Sequence, residues 1–210
     1  MYVEPSMQAW WDDMVRTKKE CFKCNKGTFT DWDPFSEKVK LIILNGRNSK
    51  TEQMESWSSL NPVILKTKGP DDMVDLYFHD NVKDFAETLN FIYYSFFDKI
   101  INVYKNEYFL VVEDDALLDN IEQLKEDVGC AIANKVGVYS LFGQGTSHHA
   151  YSWGTQAMLY SRSYLKEFRP FHLRNISFHP IDLLIASYKR TCKTNKSYIH
   201  HKGKRTFKGN

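Results

Sequence analysis

The chain has 210 residues, 42% hydrophobic and 15% aromatic, with a formal net charge of +2. That is enough apolar material for one domain with a single core, and too even a charge balance to attract nucleic acid by its overall field. No apolar run reaches the roughly 18 residues of a membrane span, so none is expected.

Residues 1–37 show no clear period and read as an N-terminal extension packed on the core of a domain over 38–210. Met1 to Trp11 lacks the basic-then-apolar pattern of a secretory signal. This leads to the expectation of a cytoplasmic protein, of a size that suits a bacterial or virus-encoded enzyme. On the same ground the sequons at Asn175 and Asn195 are read as coincidence. Cys21 and Cys24 have half of a zinc-site spacing but no second close pair follows. With Cys130 and Cys192 they are expected to be reduced, structurally passive thiols.

Regular alternation begins at residue 39. Val39 to Leu44 is a β-branched, apolar run ending in Asn45-Gly46, the pattern of a buried strand and a turn. Ser49 to Glu52 fits a capping box and predicts a helix through Trp57, and Pro62 precedes a short strand over Val63 to Lys66. From Val82 to Ile101 apolar residues recur every three or four positions, which predicts a long amphipathic helix. Tyr108 to Val112 is an all-apolar strand, followed by a helix over Ile121 to Val128 and a strand over Val136 to Phe142. Gln156 to Ser161 reads as a strand with a short helix after it. Pro180 suits the first turn of a helix running to Lys189. Such alternation predicts an α/β fold, a mainly parallel central sheet flanked by helices.

Charge is unevenly spread along this frame. Eight acids against one lysine fall between Glu107 and Asp127, and eight Lys or Arg with no acid fall between Lys189 and Asn210. Glu113-Asp114-Asp115 stands directly after the Tyr108 to Val112 strand. In parallel α/β sheets ligands gather at the carboxyl ends of strands. Adjacent carboxylates there repel one another unless a cation shares the site, and oxygen-rich sites suit Mg²⁺ or Mn²⁺. Such a metal, bridging a diphosphate, stabilises negative charge on a departing nucleoside diphosphate. The plainer reading, acids drawn to the start of a following helix by its dipole, stands beside it.

Through this motif and three further segments, the chain resembles glycosyltransferases of the GT-A fold, most closely the lipopolysaccharide/procollagen galactosyltransferase family (glycosyltransferase family 25). Leu41 to Arg47 looks like that family's opening strand, with Asn45-Gly46-Arg47 in place of the usual Asp-Arg-Arg. Phe109 to Leu118 looks like its acidic motif, Trp153 to Arg162 like its Gly-Thr-x-Ala-Tyr-x-x-Ser-Arg segment, and Pro180-Ile181-Asp182 like a later Pro-x-Asp. The resemblance implies a UDP-linked nucleotide-sugar donor, a glycan or glycoprotein acceptor, and Mn²⁺ or Mg²⁺ as cofactor. It implies that Leu44, Asn45, Gly46 and Arg47 meet the nucleotide. Glu113 and Asp114 then lie near ribose and metal, with Asp115 the direct metal ligand. Trp153, Gly154 and Thr155 line the acceptor side, and Asp182 is the general base of an inverting enzyme. Physical chemistry agrees on a carboxylate for deprotonating a sugar hydroxyl, although Asp182 also reads as a helix cap.

The basic tail has two readings as well. His200-His201 precedes four cations within Lys202 to Lys208. Many enzymes of the fold bring a late His to the metal, so His200 or His201 is a candidate ligand. Lys202 and Lys204 are candidates for charge-assisted contacts to a diphosphate. The alternative is a frayed basic terminus. His148 and His149 sit in a loop with no bet placed on catalysis, and Tyr151, Trp153 and Trp57 are aromatic candidates for stacking on sugar or base. Two other functions compete with sugar transfer. One is a nucleotidyltransferase, although the turn after the first strand is poor in the glycines of a phosphate loop. The other is a catalytically silent nucleotide-sugar- or glycan-binding module.

Overall fold

The computed structural model describes residues 33–45, 51–66, 85–142, 155–174, 181–188, 192–194 and 196–201. It gives backbone alone for Lys66, residues 85–92, Asp182, Leu183, Ala186, Ser187 and His201. Eight strands follow in chain order: β1 (Val39–Asn45), β2 (Val63–Lys66), β3 (Tyr108–Glu113), β4 (Ala116–Leu118), β5 (Val138–Ser140), β6 (Ala157–Ser161), β7 (Cys192–Lys193) and β8 (Ile199–His201). The helices are α1 (Pro34–Glu37), α2 (Glu52–Glu55), α3 (Phe85–Val103), α4 (Ile121–Ala133), α5 (Arg162–Arg174) and α6 (Ile181–Tyr188).

Six strands form one sheet in the order β2-β1-β3-β6-β5-β7, and β4 pairs with β8 in a second, two-stranded sheet. β1 is parallel to β2 and β3, and β5 is parallel to β7. Only β6, among the described strands of this sheet, runs against its neighbours. The expected mainly parallel α/β architecture is therefore the observed one. β1 and β3 are buried on both faces, which is why both read as unbroken apolar runs. On one face Leu41, Ile43, Leu110 and Val112 pack with Trp57 and with Leu124 and Val128 of α4. On the other, Ile42, Phe109 and Val111 pack with Phe97 and Ile100 of α3, Phe168 of α5 and Leu184 of α6. Helices thus cover the sheet on both sides.

Local chemistry sets the helix starts. Asp33 accepts a hydrogen bond from the Phe35 amide at 2.9 Å, with Pro34 at the first helical position. Asn120 accepts from the Gln123 amide at 3.0 Å. From there α4 runs to Ala133, past the expected end at Val128. It stops in a left-handed Lys135, φ 51°, with the Val136 amide donating to the Ala131 carbonyl.

Several details differ from the sequence expectation. Ser49 lies outside the described residues, and Thr51 caps α2 instead, its hydroxyl accepting from the Met54 amide at 3.2 Å. That helix ends at Glu55, and a 3₁₀ turn over Ser58–Leu60 follows. Trp57 is wholly buried and its indole N–H donates to the Ala116 carbonyl at 2.8 Å. It is a core residue, not a surface for stacking a sugar. The last strand falls at Ile199–His201, after the expected Ser197 to Ile199, and β4 and β7 carry no sequence expectation at all.

The thiol expectation is also corrected. Cys130 on α4 and Cys192 on β7 are both disulfide-bonded. The reduced-thiol expectation rests on the N-terminus, through the compartment, and not on the cysteines themselves. Disulfides persist in oxidising compartments and are rare in the cytosol, so these bonds count against the cytoplasmic expectation. They also remove the ground on which the two sequons were set aside. Among the described residues no helix is long and apolar enough to cross a membrane.

Candidate active site

The register of the sheet assembles the site. Leu44 at the end of β1 lies opposite Glu113 at the end of β3. On the other side of β3 the antiparallel β6 begins, with Ala157 opposite Val112, and the Glu113 amide donates to the Gln156 carbonyl at 3.0 Å. One reversed strand therefore brings Thr155, just before its start, to the edge where β1 and β3 end. This is the edge at which parallel sheets gather ligands.

Three acids turn the chain there. Asp114 and Asp115 are only 7% and 9% exposed, and Asn45 is 3% exposed. Buried carboxylates are costly unless charge or hydrogen bonds compensate them. The turn is braced from below, since the Thr51 hydroxyl donates to the Asp114 carbonyl at 2.8 Å. Glu113 is half-buried and its Oε1 accepts from two hydroxyls, Tyr93 Oη at 3.2 Å and Thr155 Oγ1. Burial, and then the Glu113 charge beside it, push the Tyr93 phenol well above its ordinary range. Tyr93 is therefore a protonated donor at any ordinary pH.

Beyond the acidic turn the chain enters β4, and β8 pairs with it antiparallel. The backbone of His201 lies in register with Ala116, one residue from Asp115, and His200 is in register with Leu117. His200 Nε2 sits 2.5 Å from Asp119 Oδ2 in a half-exposed contact. Among the described residues no group of three or more His, Cys, Asp or Glu is arranged to hold a metal.

Of the residues singled out in the sequence, the structure brings together Leu44, Asn45, Glu113, Asp114, Asp115 and Thr155 at one sheet edge, and lays the β8 backbone of His200 and His201 beside the acidic turn. Gly46, Arg47, Trp153, Gly154, Lys202 and Lys204 lie outside the described residues, as do His148, His149 and Tyr151. Asp182 lies in the first turn of α6, a helix that packs against α3 and α5. Arg162, at the end of the Trp153 to Arg162 segment, belongs to the opposite edge. Its guanidinium donates to the carbonyls of Ile101, Tyr104 and Asn106 and stands over the Phe109 ring. It closes the C-terminus of α3, where cations are favoured, and its role is structural.

Two site neighbours escaped the sequence reading. Tyr93 lies inside α3, among core aromatics of the same spacing, and carries no local signal. Asp119 follows the acidic motif but looked like one more acid in an acidic stretch.

No protein-family model matches the sequence, and no curated protein matches it. Solved structures do share the fold. A glycosyltransferase involved in the glycosylation of the major capsid of PBCV-1 superposes with a TM-score of 0.53 at 11% identity, over 79% of this chain and 96% of that one. A197 from STIV superposes with a TM-score of 0.50 at 9% identity, over 77% and 83%. The chain thus has a glycosyltransferase fold.

Proposed function

We propose that the chain is a metal-dependent glycosyltransferase, moving a sugar from a nucleotide sugar to a hydroxyl of a glycan or protein. One observation carries the reading. A turn of three acids, two of them almost fully buried, stands at the edge where β1 and β3 end and β6 begins, on a fold shared with a solved glycosyltransferase. Membership of glycosyltransferase family 25 and a UDP-linked donor belong to the same proposal, on the motifs quoted above.

The donor set suits a hard divalent cation, Mn²⁺ or Mg²⁺, held by one or two carboxylates with positions left for phosphate oxygens. Asp115 would be the ligand, with Asp114 beside it and a histidine of β8 as a further donor. When bound, the ion offsets charge on the diphosphate leaving group. The rest falls to the chain itself. Leu44, Asn45, Gly46 and Arg47 face the nucleotide, and Lys202 and Lys204 the diphosphate. Glu113, aimed by Tyr93 and Thr155, contacts the ribose side. Trp153, Gly154 and Thr155 line the acceptor. Asp182 accepts the acceptor hydroxyl's proton as its oxygen bonds to the anomeric carbon and the bond to the diphosphate breaks.

Ligands that bind the native state raise its apparent stability. A thermal-shift panel of UDP-, GDP- and CMP-sugars with and without Mn²⁺ is expected to show at least one Mn²⁺-dependent rise. Asp115→Asn is expected to abolish it and to lower transfer by about 100-fold or more, as loss of a charge-stabilising group does, without loss of fold. Silence across the whole panel sinks the reading, and full activity in excess chelator sinks its metal part.

A further inference from the structure

A second heavily bonded acid lies away from the acidic turn. Asp127 lies on α4 and is 3% exposed. Its Oδ2 accepts from Thr194 Oγ1 at 2.8 Å and from Tyr198 Oη at 2.9 Å, and its Oδ1 lies 2.6 Å from Lys196 Nζ. Gln123 Nε2 adds a longer contact at 3.4 Å. Three of these four donors come from one short stretch, residues 194–198, which carries the chain from the edge of the large sheet at β7 to the small sheet at β8. The Thr194 hydroxyl in turn accepts from the Lys196 amide at 3.1 Å, and the Asp119 amide donates to the Tyr198 carbonyl at 2.9 Å.

Length alone makes this arrangement notable. At its ends this stretch bonds to the sheets, the Thr194 amide donating to the Ser140 carbonyl at 2.9 Å and the Tyr198 carbonyl accepting from the Asp119 amide, and β8 pairs with β4 over three residues. A three-residue ladder is marginal without support. Asp127 supplies it, fixing the segment immediately before β8 to a helix that packs on the core. β8 then lays the backbone of His201 opposite Ala116, next to the acidic turn.

We propose that Asp127 is a positioning residue: by holding Thr194, Lys196 and Tyr198 it keeps β8 paired with β4 beside the acidic turn, with His200 against Asp119. The proposal rests on the reading of that turn as a metal and donor site. Groups that orient ligands from behind typically change metal affinity or activity by about 10- to 100-fold when removed.

The test compares wild type, Asp127→Asn and Lys196→Met by amide hydrogen exchange and by Mn²⁺ titration, well below the melting temperature. Lys196→Met removes the cation but leaves both hydroxyl donors, and guards against an Asp127 variant that fails to fold. Loss of the clamp is expected to cost the Ile199–His201 and Ala116–Leu118 amides about tenfold or more in protection, with β1 and β3 unchanged. The Mn²⁺ midpoint, read by thermal shift, is expected to rise by about tenfold. Unchanged exchange in β4 and β8 in both variants overturns the proposal. So does a fall in melting temperature with the wild-type Mn²⁺ midpoint. If wild type itself ignores Mn²⁺, the metal reading of the turn fails, and the exchange data still decide whether Asp127 holds β8.

Discussion

Glu113 and Asp127 are both acids withdrawn from solvent, and the molecule treats them oppositely. The described partners of the Glu113 carboxylate are two neutral hydroxyls, from Tyr93 and Thr155. Asp127 also has two hydroxyl partners, but a lysine ammonium stands 2.6 Å away. The Tyr93 and Thr155 hydroxyls aim the Glu113 carboxylate without adding charge of their own. A lysine cancels the charge and turns the carboxylate into a strut. Position fits the difference: Glu113 ends a strand at the edge where ligands collect, whereas Asp127 is enclosed between a helix and the returning chain.

The sharpest way to break this comparison is to neutralise each acid without changing its shape. Glu113→Gln keeps an acceptor for Tyr93 and Thr155, so thermal melting is expected to stay within a few degrees of wild type. Its Mn²⁺-dependent nucleotide-sugar response is expected to weaken about tenfold or more. The same thermal response at wild-type strength would mean that the Glu113 charge serves no ligand.

Reduction strikes nearer to Asp127, because Cys130 lies one turn along the same helix and Cys192 opens the segment it clamps. Loss of a native disulfide costs about 2–4 kcal/mol. Added reductant is therefore expected to lower the urea midpoint and to steepen the slope, since the unfolded chain freed of its cross-links exposes more surface. A midpoint indifferent to reductant in a sample shown to be reduced would remove the disulfides from the account of stability.

A buried base completes the series. His172 on α5 is wholly buried against Phe97, Phe168 and Tyr94, and burial lowers its pKa to about 4. The unfolded chain, with an ordinary value near 6.5, takes up the proton first. Stability is therefore full above about pH 6.5, falls as pH drops towards 4, and stops changing below that. The total is on the order of 3 kcal/mol at about 1.4 kcal/mol per unit. His172→Leu should flatten this part of the pH–stability curve; an unaltered curve assigns acid sensitivity elsewhere. The smallest effect is expected of Tyr93→Phe, which deletes one hydrogen bond to Glu113 and costs about 1 kcal/mol. Its signature is a weaker Mn²⁺-dependent response to nucleotide sugars, since the phenol no longer aims Glu113. A variant matching wild type in that response would make Tyr93 only a core aromatic.

Local order was legible wherever one physical signal dominated. β1, β3 and β6 fell within a residue or two of their apolar runs, because strands buried on both faces have no polar position to blur them; β2, at the sheet edge with Ile64 exposed, was marked by the Pro62 before it. α3 followed from its period, and the acidic turn from its place after β3. β4, β7 and β8 were missed or shifted because two or three residues hold too little pattern to stand out. Tyr93, Asp119 and Asp127 were missed because nothing local distinguishes them.

The sequence by itself determined the alternation of strands and helices, the buried runs, and the three carboxylates at the end of one of them, since these rest on periodicity and adjacency. Tertiary structure alone decided which strand runs backwards, and so that Thr155 comes to face Glu113 across β3's edge. It also decided that Trp57 and Arg162 serve the scaffold, that two cysteines are bonded, and that Asp127 reaches the 194–198 segment. The reason is the same in each case. Contacts between residues far apart along the chain depend on how elements pack, and no spacing along the chain encodes that.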